Sequence, residues 1–178
     1  MPASRALCFI VLFFAAARPD FASAQAAGQD DATAGCDRLS WSVASEREWF
    51  SGPKLTHRVS GARLRKIDRA VELALEPTGD THLFLPPERP PSPNSYSGEV
   101  TFFGVPKPGL YQVTVADDAG IDVFENGARL KRVAQTSAEN CRGIRRSARF
   151  VLVPGDLVLV ELTGAAKTSI KVAFAEAH

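Results

Sequence analysis

The chain has 178 residues, with 21 basic and 20 acidic side chains and a formal net charge of +1. This length suffices for one domain with a substantial core. The near-neutral balance gives no support to nucleic-acid binding or to adsorption on anionic membranes, so neither partner is predicted.

The first 24 residues have the pattern of a secretory signal peptide. A basic start, MPASR, precedes twelve apolar residues at 6–17, and the small residues Ala22 and Ala24 precede a predicted cleavage site. A membrane anchor is the alternative, but spanning a bilayer takes about 20 apolar residues. A lipid-modified Cys36 is a second alternative. We expect export to the periplasm or beyond, and no stable membrane insertion after cleavage.

Two cysteines remain once the signal peptide is removed, Cys36 and Cys141. An even count in an oxidising compartment predicts one disulfide, which would close a loop of about 105 residues. Two free thiols are the alternative. A redox pair is not predicted, because the sequence contains no Cys-x-x-Cys.

The segment before the β-rich half contains a leader, a helix and an ambiguous stretch. Residues 25–35 are small and polar and are predicted to be a disordered leader, and residues 36–178 to be one domain. A short helix is expected within 40–53, capped by Ser45 and ended by Gly52-Pro53. Its apolar residues would dock on the main body. Residues 63–76 fit a helix or a strand, and a strand at 70–76 is favoured.

Five prolines fall between Pro86 and Pro93, within a segment that runs from 85 to 98. Such a segment is predicted to be an extended surface loop with few backbone donors. A stiff connector is the favoured interpretation, and a ligand for a partner protein is the alternative.

Short runs rich in Val, Phe, Ile and Thr follow from residue 98 onward, separated by turn signals such as Pro108-Gly109, Asn126-Gly127 and Pro154-Gly155. This spacing is typical of a β-sandwich or small barrel. Alternation would place Tyr111, Val113 and Val115 on one face.

Four segments of this half carry a further pattern: EVTFFGVPKPGLYQVTV, GIDVFENGARL, SARFVLVPGDLVLVEL and SIKVAFA. Together they resemble the bacterial pre-peptidase C-terminal type of β-sandwich over about residues 98–175. The whole chain, with its GCD…W opening, also resembles a small family of exported proteobacterial proteins. Neither resemblance implies a catalytic residue. The first implies a non-catalytic module that accompanies secreted enzymes or binds surfaces.

The chain contains few residues suited to catalysis. Its three histidines are His57, His82 and His178, and no His-x-His or His-Glu-x-x-His spacing occurs. A metal-dependent enzyme of the cupin type would need two or three histidines and a carboxylate at one site. No Gly-x-Ser-x-Gly and no phosphate-binding glycine loop is present, so no cofactor is predicted.

Two charged features are candidate sites. The acidic stretch DDAGIDVFENG offers oxygen ligands for calcium. Its spacing is not that of an EF-hand, so the favoured interpretation is that these acids form solvent-exposed turns. Its candidate ligands are Asp117, Asp118, Asp122 and Glu125. A basic cluster is the second candidate site, and it would bind an anion. The favoured interpretation is instead that these charges protect an edge strand from pairing with another chain. The members of the basic cluster are Lys131, Arg132, Arg142, Arg145, Arg146 and Arg149.

We therefore predict a mainly-β protein, a single jelly-roll-like β-sandwich of seven or eight strands with one short N-terminal helix. Its expected function is that of an exported, non-catalytic binding or structural protein of the cell envelope, with an envelope protein or an acidic polysaccharide as partner. A carbohydrate-binding module for acidic glycans is the alternative. A small metal-dependent enzyme of the cupin type is the third.

Overall fold

Strands dominate the computed structural model, which describes residues 35–65, 69–155 and 157–178. Seven described strands have six residues or more: β3 Arg69–Ala74, β5 Tyr96–Phe103, β6 Gly109–Val115, β7 Gly120–Glu125, β10 Arg146–Leu152, β11 Leu157–Ala165 and β12 Ser169–Glu176. Five are shorter: β1 Thr56–Arg58, β2 Ala62–Leu64, β4 Glu76–Pro77, β8 Ala128–Arg129 and β9 Ala134–Ser137. The predicted mainly-β fold is confirmed, as is the strand favoured at 70–76.

The strands form two sheets that pack face to face as a sandwich. The first sheet has the order β1-β3-β12-β6-β10-β9, and the second has the order β2-β5-β11-β7-β8, with β4 also paired to β5. Both sheets are mixed, because β1 is parallel to β3 and β2 is parallel to β5. The long strands pair antiparallel with one another.

The core lies between the sheets and is built by alternation along the strands. Tyr111, Val113 and Val115 of β6 are fully buried on one face, as predicted. Two ring contacts centre on Phe174, which stacks on Phe102 at 4.5 Å and lies parallel to Tyr111 at 5.8 Å between ring centroids. The Tyr111 hydroxyl donates to the Lys107 carbonyl at 2.9 Å, so this buried ring keeps a polar partner.

A helix and a disulfide-linked segment cover the outer face of the first sheet. Helix α1, Ala44–Ser51, packs Val43 and Phe50 against that face and ends at Gly52, as expected. The predicted Ser45 cap is wrong, because Val43 occupies the N-cap, and the Ala44 N–H donates to the Ser42 hydroxyl at 3.4 Å. The predicted disulfide between Cys36 and Cys141 is confirmed, with Cα atoms 4.4 Å apart.

The predicted signal peptide and nearly all of the leader lie outside the described residues. Within those that are described, no helix is long and apolar enough to span a bilayer. The disulfide is compatible with an oxidising compartment.

Candidate binding surface on the second sheet

Three carboxylates stand side by side on the outer face of the second sheet. In β5, β11 and β7 the apolar neighbours of these residues point into the core, which leaves the carboxylates on the opposite face. Glu161 is the direct cross-strand partner of both Glu99 and Asp122. We call Glu99, Glu161 and Asp122 the carboxylate row.

The proline-rich segment covers this row, and we call residues 82–93 the proline strap. The Phe84 N–H donates to Glu161 Oε1, and the Arg129 guanidinium donates to the Pro86 carbonyl. Arg132 Nη2 lies 3.6 Å from a carboxylate oxygen of Glu88. The cover explains why Glu161 has no exposed surface, although it belongs to the outer face.

The strap also approaches β11 closely at a break in the strand pairing. The pairing of β11 with β5 shifts between Leu162 and Ala165, and Gly164 has a φ of +77°. A Cβ atom at Gly164 would lie 3.5 Å from Pro91 Cβ. The left-handed backbone therefore favours glycine at position 164, whereas an added Cβ would make only an ordinary van der Waals contact with the strap.

Burial changes the ionisation of all three carboxyl groups. Burial raises the pKa of Glu161, and the neighbouring Glu99 and Asp122 raise it further, while the Phe84 N–H opposes the rise. Burial also raises the pKa of Glu99, with help from Glu76. The pKa of Asp122 is raised by burial despite the nearby Arg129 and Arg132. Glu161 Oε2 has no hydrogen-bond partner among the described residues.

A shallow groove of about 690 Å³ lies beside the row on the same face. Phe124 and Leu159 are adjacent across the strands and contribute to its lining. Phe84 packs edge-on against Phe124, with ring centroids 5.4 Å apart. His82, Glu99 and Thr101 supply polar groups to the lining. The groove therefore combines apolar surface with a polar rim.

Large apolar side chains are exposed around this groove. Phe84 is 49% exposed, and the cross-strand pair Phe103 and Leu157 is 48% exposed at each position. The outer face of a sandwich sheet normally carries polar residues. Exposed apolar groups that lie together mark interaction sites.

The predicted basic cluster is not one surface. Arg132 and Arg146 line a common cavity under the proline strap. Arg149 lies over the Trp41 ring at 4.3 Å on the outer face of the first sheet. Arg145 pairs with Glu139 at 3.5 Å, and Lys131 and Arg142 are exposed to solvent.

The predicted acidic site is also divided. Asp117 pairs with Lys167, and Asp118 pairs with Arg146. Asp122 and Glu125 are buried, so the interpretation that these acids lie in solvent-exposed turns is wrong for both. Glu125 Oε1 instead accepts the Val153 N–H at 3.2 Å. No group of three or more His, Cys, Asp or Glu residues in the described ranges is arranged to hold a metal ion.

The histidines lie apart, too. His57 is exposed and has its Nδ1 atom 3.3 Å from a Glu72 carboxylate oxygen, while His82 lines the groove. The His178 carbonyl accepts a hydrogen bond from Arg149. The histidine and carboxylate cluster of a cupin-type enzyme is therefore absent from the described part of the chain.

Sequence reasoning missed Glu99, Glu161 and Phe84 as site residues. A signal for Glu161 exists, because in the run LVLVEL the residues Val158, Val160 and Leu162 point inward and Glu161 must point outward. No comparable signal exists for Phe84, which lies in a segment without helix or strand.

Comparison with known proteins adds no relative: no model of a protein family matches the chain, and no curated protein matches it. The resemblance to the pre-peptidase C-terminal type of sandwich stays a prediction.

Proposed function

We propose that the protein is an exported, non-catalytic binding protein of the cell envelope that holds a neutral or amino-sugar glycan in the groove of the second sheet. The observation that carries the proposal is the exposure of Phe84, Phe103 and Leu157 around a groove with a polar rim. Pyranose rings have apolar CH faces that pack on such side chains and hydroxyl groups that bond to a polar rim.

The position of the groove favours a glycan over an extended peptide. Peptides that add to a sheet need a strand edge with unpaired backbone groups. The groove lies over β5, β11 and β7, which are paired on both sides within the second sheet. A ligand there must bind through the faces of side chains, as a sugar ring does.

The charge of the groove argues against acidic glycans at this place. Among the described residues of its lining, Glu99 is the carboxylate, and the carboxylate row begins there. A uronate or sulfate group would meet a like charge, whereas a neutral sugar or a protonated amino sugar would not. The expected acidic partner therefore fits this groove poorly.

Export is supported by the signal-peptide pattern of residues 1–24 and by the disulfide between Cys36 and Cys141. Disulfides persist in oxidising compartments such as the bacterial periplasm. An envelope location would bring the protein into contact with cell-wall and surface glycans.

Titration of the purified, oxidised protein with neutral and amino-sugar oligosaccharides of four to six units tests the proposal. Binding measured by calorimetry should become at least tenfold weaker in Phe84→Ala and in Phe103→Ala. Phe103→Ala is the safer variant for folding, because the ring is half exposed and its direct cross-strand neighbour is the equally exposed Leu157.

Val151→Ala is the matched control. Val151 is 58% exposed and belongs to β10 of the first sheet, so its truncation should leave the affinity unchanged. Absence of binding to every oligosaccharide, or equal weakening by Val151→Ala, contradicts the proposal.

A further inference from the structure

The groove of the proposed function, on which this inference rests, ends at a carboxylate that no described cation balances. Glu99 lies at one end of the carboxylate row and lines the groove, whereas the strap covers Glu161 in the middle of the row. The Glu99 side chain is half-buried and forms no ion pair or hydrogen bond within the described ranges. Its acidic neighbours are Glu161, directly across the strands, and Glu76. An uncompensated negative charge therefore faces the groove.

Positive charge is scarce around Glu99 in the described part of the molecule. Arg129 and Arg132 lie near Asp122, at the other end of the carboxylate row. His82 is the one described lining residue of the groove that can become cationic, and it is not among the groups that shift the pKa of Glu99. Burial raises that pKa, and no basic neighbour lowers it. A cation supplied by a ligand would stabilise the ionised carboxylate.

The strand registers place Glu99 in line with the apolar part of the same face. Glu99, Thr101 and Phe103 occupy alternate positions of β5 and therefore point to the same side of the sheet. Thr101 is opposite Leu159, and Leu159 is opposite Phe124. At about 3.4 Å per residue, Glu99 and Phe103 are about 14 Å apart along the strand. A single sugar ring cannot reach both side chains, whereas an oligosaccharide that lies along β5 can.

A glycan with free amino groups matches both ends of this face. Its ammonium group would donate to the Glu99 carboxylate, and hydrogen bonds between charged partners are stronger than those between neutral ones. The CH faces of its other rings would pack on the exposed side chains of Phe103 and Leu157. A lysine-rich peptide carries the same kind of charge but has no ring faces for these two residues. Charge and shape together therefore favour an amino-sugar chain.

We propose that Glu99 makes the groove selective for glycans built from amino sugars whose amino groups are free and protonated. One ammonium group donates to the Glu99 carboxylate, while rings farther along the glycan pack on Leu159, Leu157 and Phe103. The N-acetylated form of the same glycan carries a neutral amide in place of each ammonium group. It therefore keeps the ring contacts and loses the contact between opposite charges.

Calorimetric titration of the full, oxidised chain with two matched probes tests this selectivity. The first probe is a tetrasaccharide of glucosamine, and the second is its fully N-acetylated counterpart. At about pH 6.5, where the amino groups of the first probe bind protons, it should bind at least about tenfold more tightly than the second. Raising the salt concentration from about 0.05 M to about 0.5 M should reduce this preference at least about threefold, because salt screens a half-exposed pair of charges.

Glu99→Gln keeps the size of the side chain and removes its charge. This variant should bind the two probes with affinities within about threefold of each other, and its affinity for the N-acetylated probe should equal that of the wild type. Glu139→Gln is the matched control, because the Glu139 side chain is 84% exposed, pairs with Arg145 and lies outside the groove lining. It should keep the full preference. Phe103→Ala should weaken the binding of both probes by a similar factor.

Equal binding of the two probes by the wild type overturns the inference, as does a preference that survives in Glu99→Gln. Tetralysine binding as tightly as the glucosamine tetrasaccharide also overturns it, because charge alone would then suffice. In each of these cases, weaker binding of the N-acetylated probe by Phe103→Ala leaves the proposed function standing. Binding of neither probe removes both the inference and the proposed function.

Discussion

Replacing Glu161 by glutamine should stabilise the protein at neutral pH. Glu161 has no exposed surface, one oxygen accepts the Phe84 N–H, and the other has no partner among the described residues. Its cross-strand neighbours are Glu99 and Asp122. A glutamine keeps an acceptor for Phe84, removes a buried negative charge, and supplies an amide donor to its acidic neighbours.

The magnitude follows from the unsatisfied oxygen. A buried polar atom without a partner costs about 1–3 kcal/mol. Part of this cost remains if the amide fits imperfectly, so we expect Glu161→Gln to raise the free energy of unfolding by about 1–2 kcal/mol. For a domain of this size, the corresponding rise in Tm is about 2–8 °C.

The pH dependence gives the sharper test. Because the pKa of Glu161 is raised in the folded state, the folded protein binds a proton over a pH range in which the unfolded protein does not. Wild-type stability should therefore increase as pH falls through the raised pKa, and this gain should be complete below about 4.3, the ordinary glutamate value. The advantage of Glu161→Gln should be largest at pH 7.5 and should shrink as the pH falls toward the ordinary glutamate value of about 4.3.

Thermal unfolding from pH 4 to 8 measures both effects. Glu139→Gln is the control, because its side chain is 84% exposed, and it should change Tm by less than about 1 °C. A variant Glu161→Gln that is less stable than the wild type at pH 7.5, by an amount independent of pH, would refute the reasoning. The ionised carboxylate would then be well satisfied in the folded protein.

Two further predictions concern covalent and steric constraints. Cys36→Ser/Cys141→Ser should lower the free energy of unfolding by about 3–5 kcal/mol in urea titrations, and a reductant should destabilise only the wild type; equal stability of both proteins would contradict this. Gly120→Ala should destabilise by about 1–3 kcal/mol, because its Cβ would lie 2.5 Å from Thr163 Oγ1. Adding Thr163→Ala should recover part of that loss, and a double-mutant cycle without coupling would reject the proposed clash.

The long strands were predictable because their apolar residues alternate over six residues or more. In β12, Ile170, Val172 and Phe174 alternate with more polar or smaller residues, and all three are buried. The short strands β1 and β2 have no such pattern. They form because β3 and β5 offer free edges to distant segments. Such pairing depends on tertiary context, so a strand of three residues shows no recognisable sequence pattern.

The candidate sites were only partly predictable from the sequence, for a related reason. Alternation places Asp122 and Glu161 on the outer face of the second sheet, and the structure agrees. Their burial depends on the strap, and Phe84 lies 77 positions before Glu161 in the chain. Sequence patterns report which face a side chain occupies, whereas cover by a segment without regular structure depends on tertiary contacts.

The proline strap borders both the groove and the cavity that Arg132 and Arg146 line. Phe84 contributes to the groove, and strap residues 87–92 line the cavity. Prolines restrict the unfolded chain, so a proline-rich segment loses less entropy when it becomes ordered and needs fewer contacts to stay in place. One of those contacts is the bond from Phe84 to Glu161, whose ionised form is disfavoured by burial under the same strap. The ionisation of one buried carboxyl group is therefore coupled to the position of the strap, which borders both the groove and the cavity.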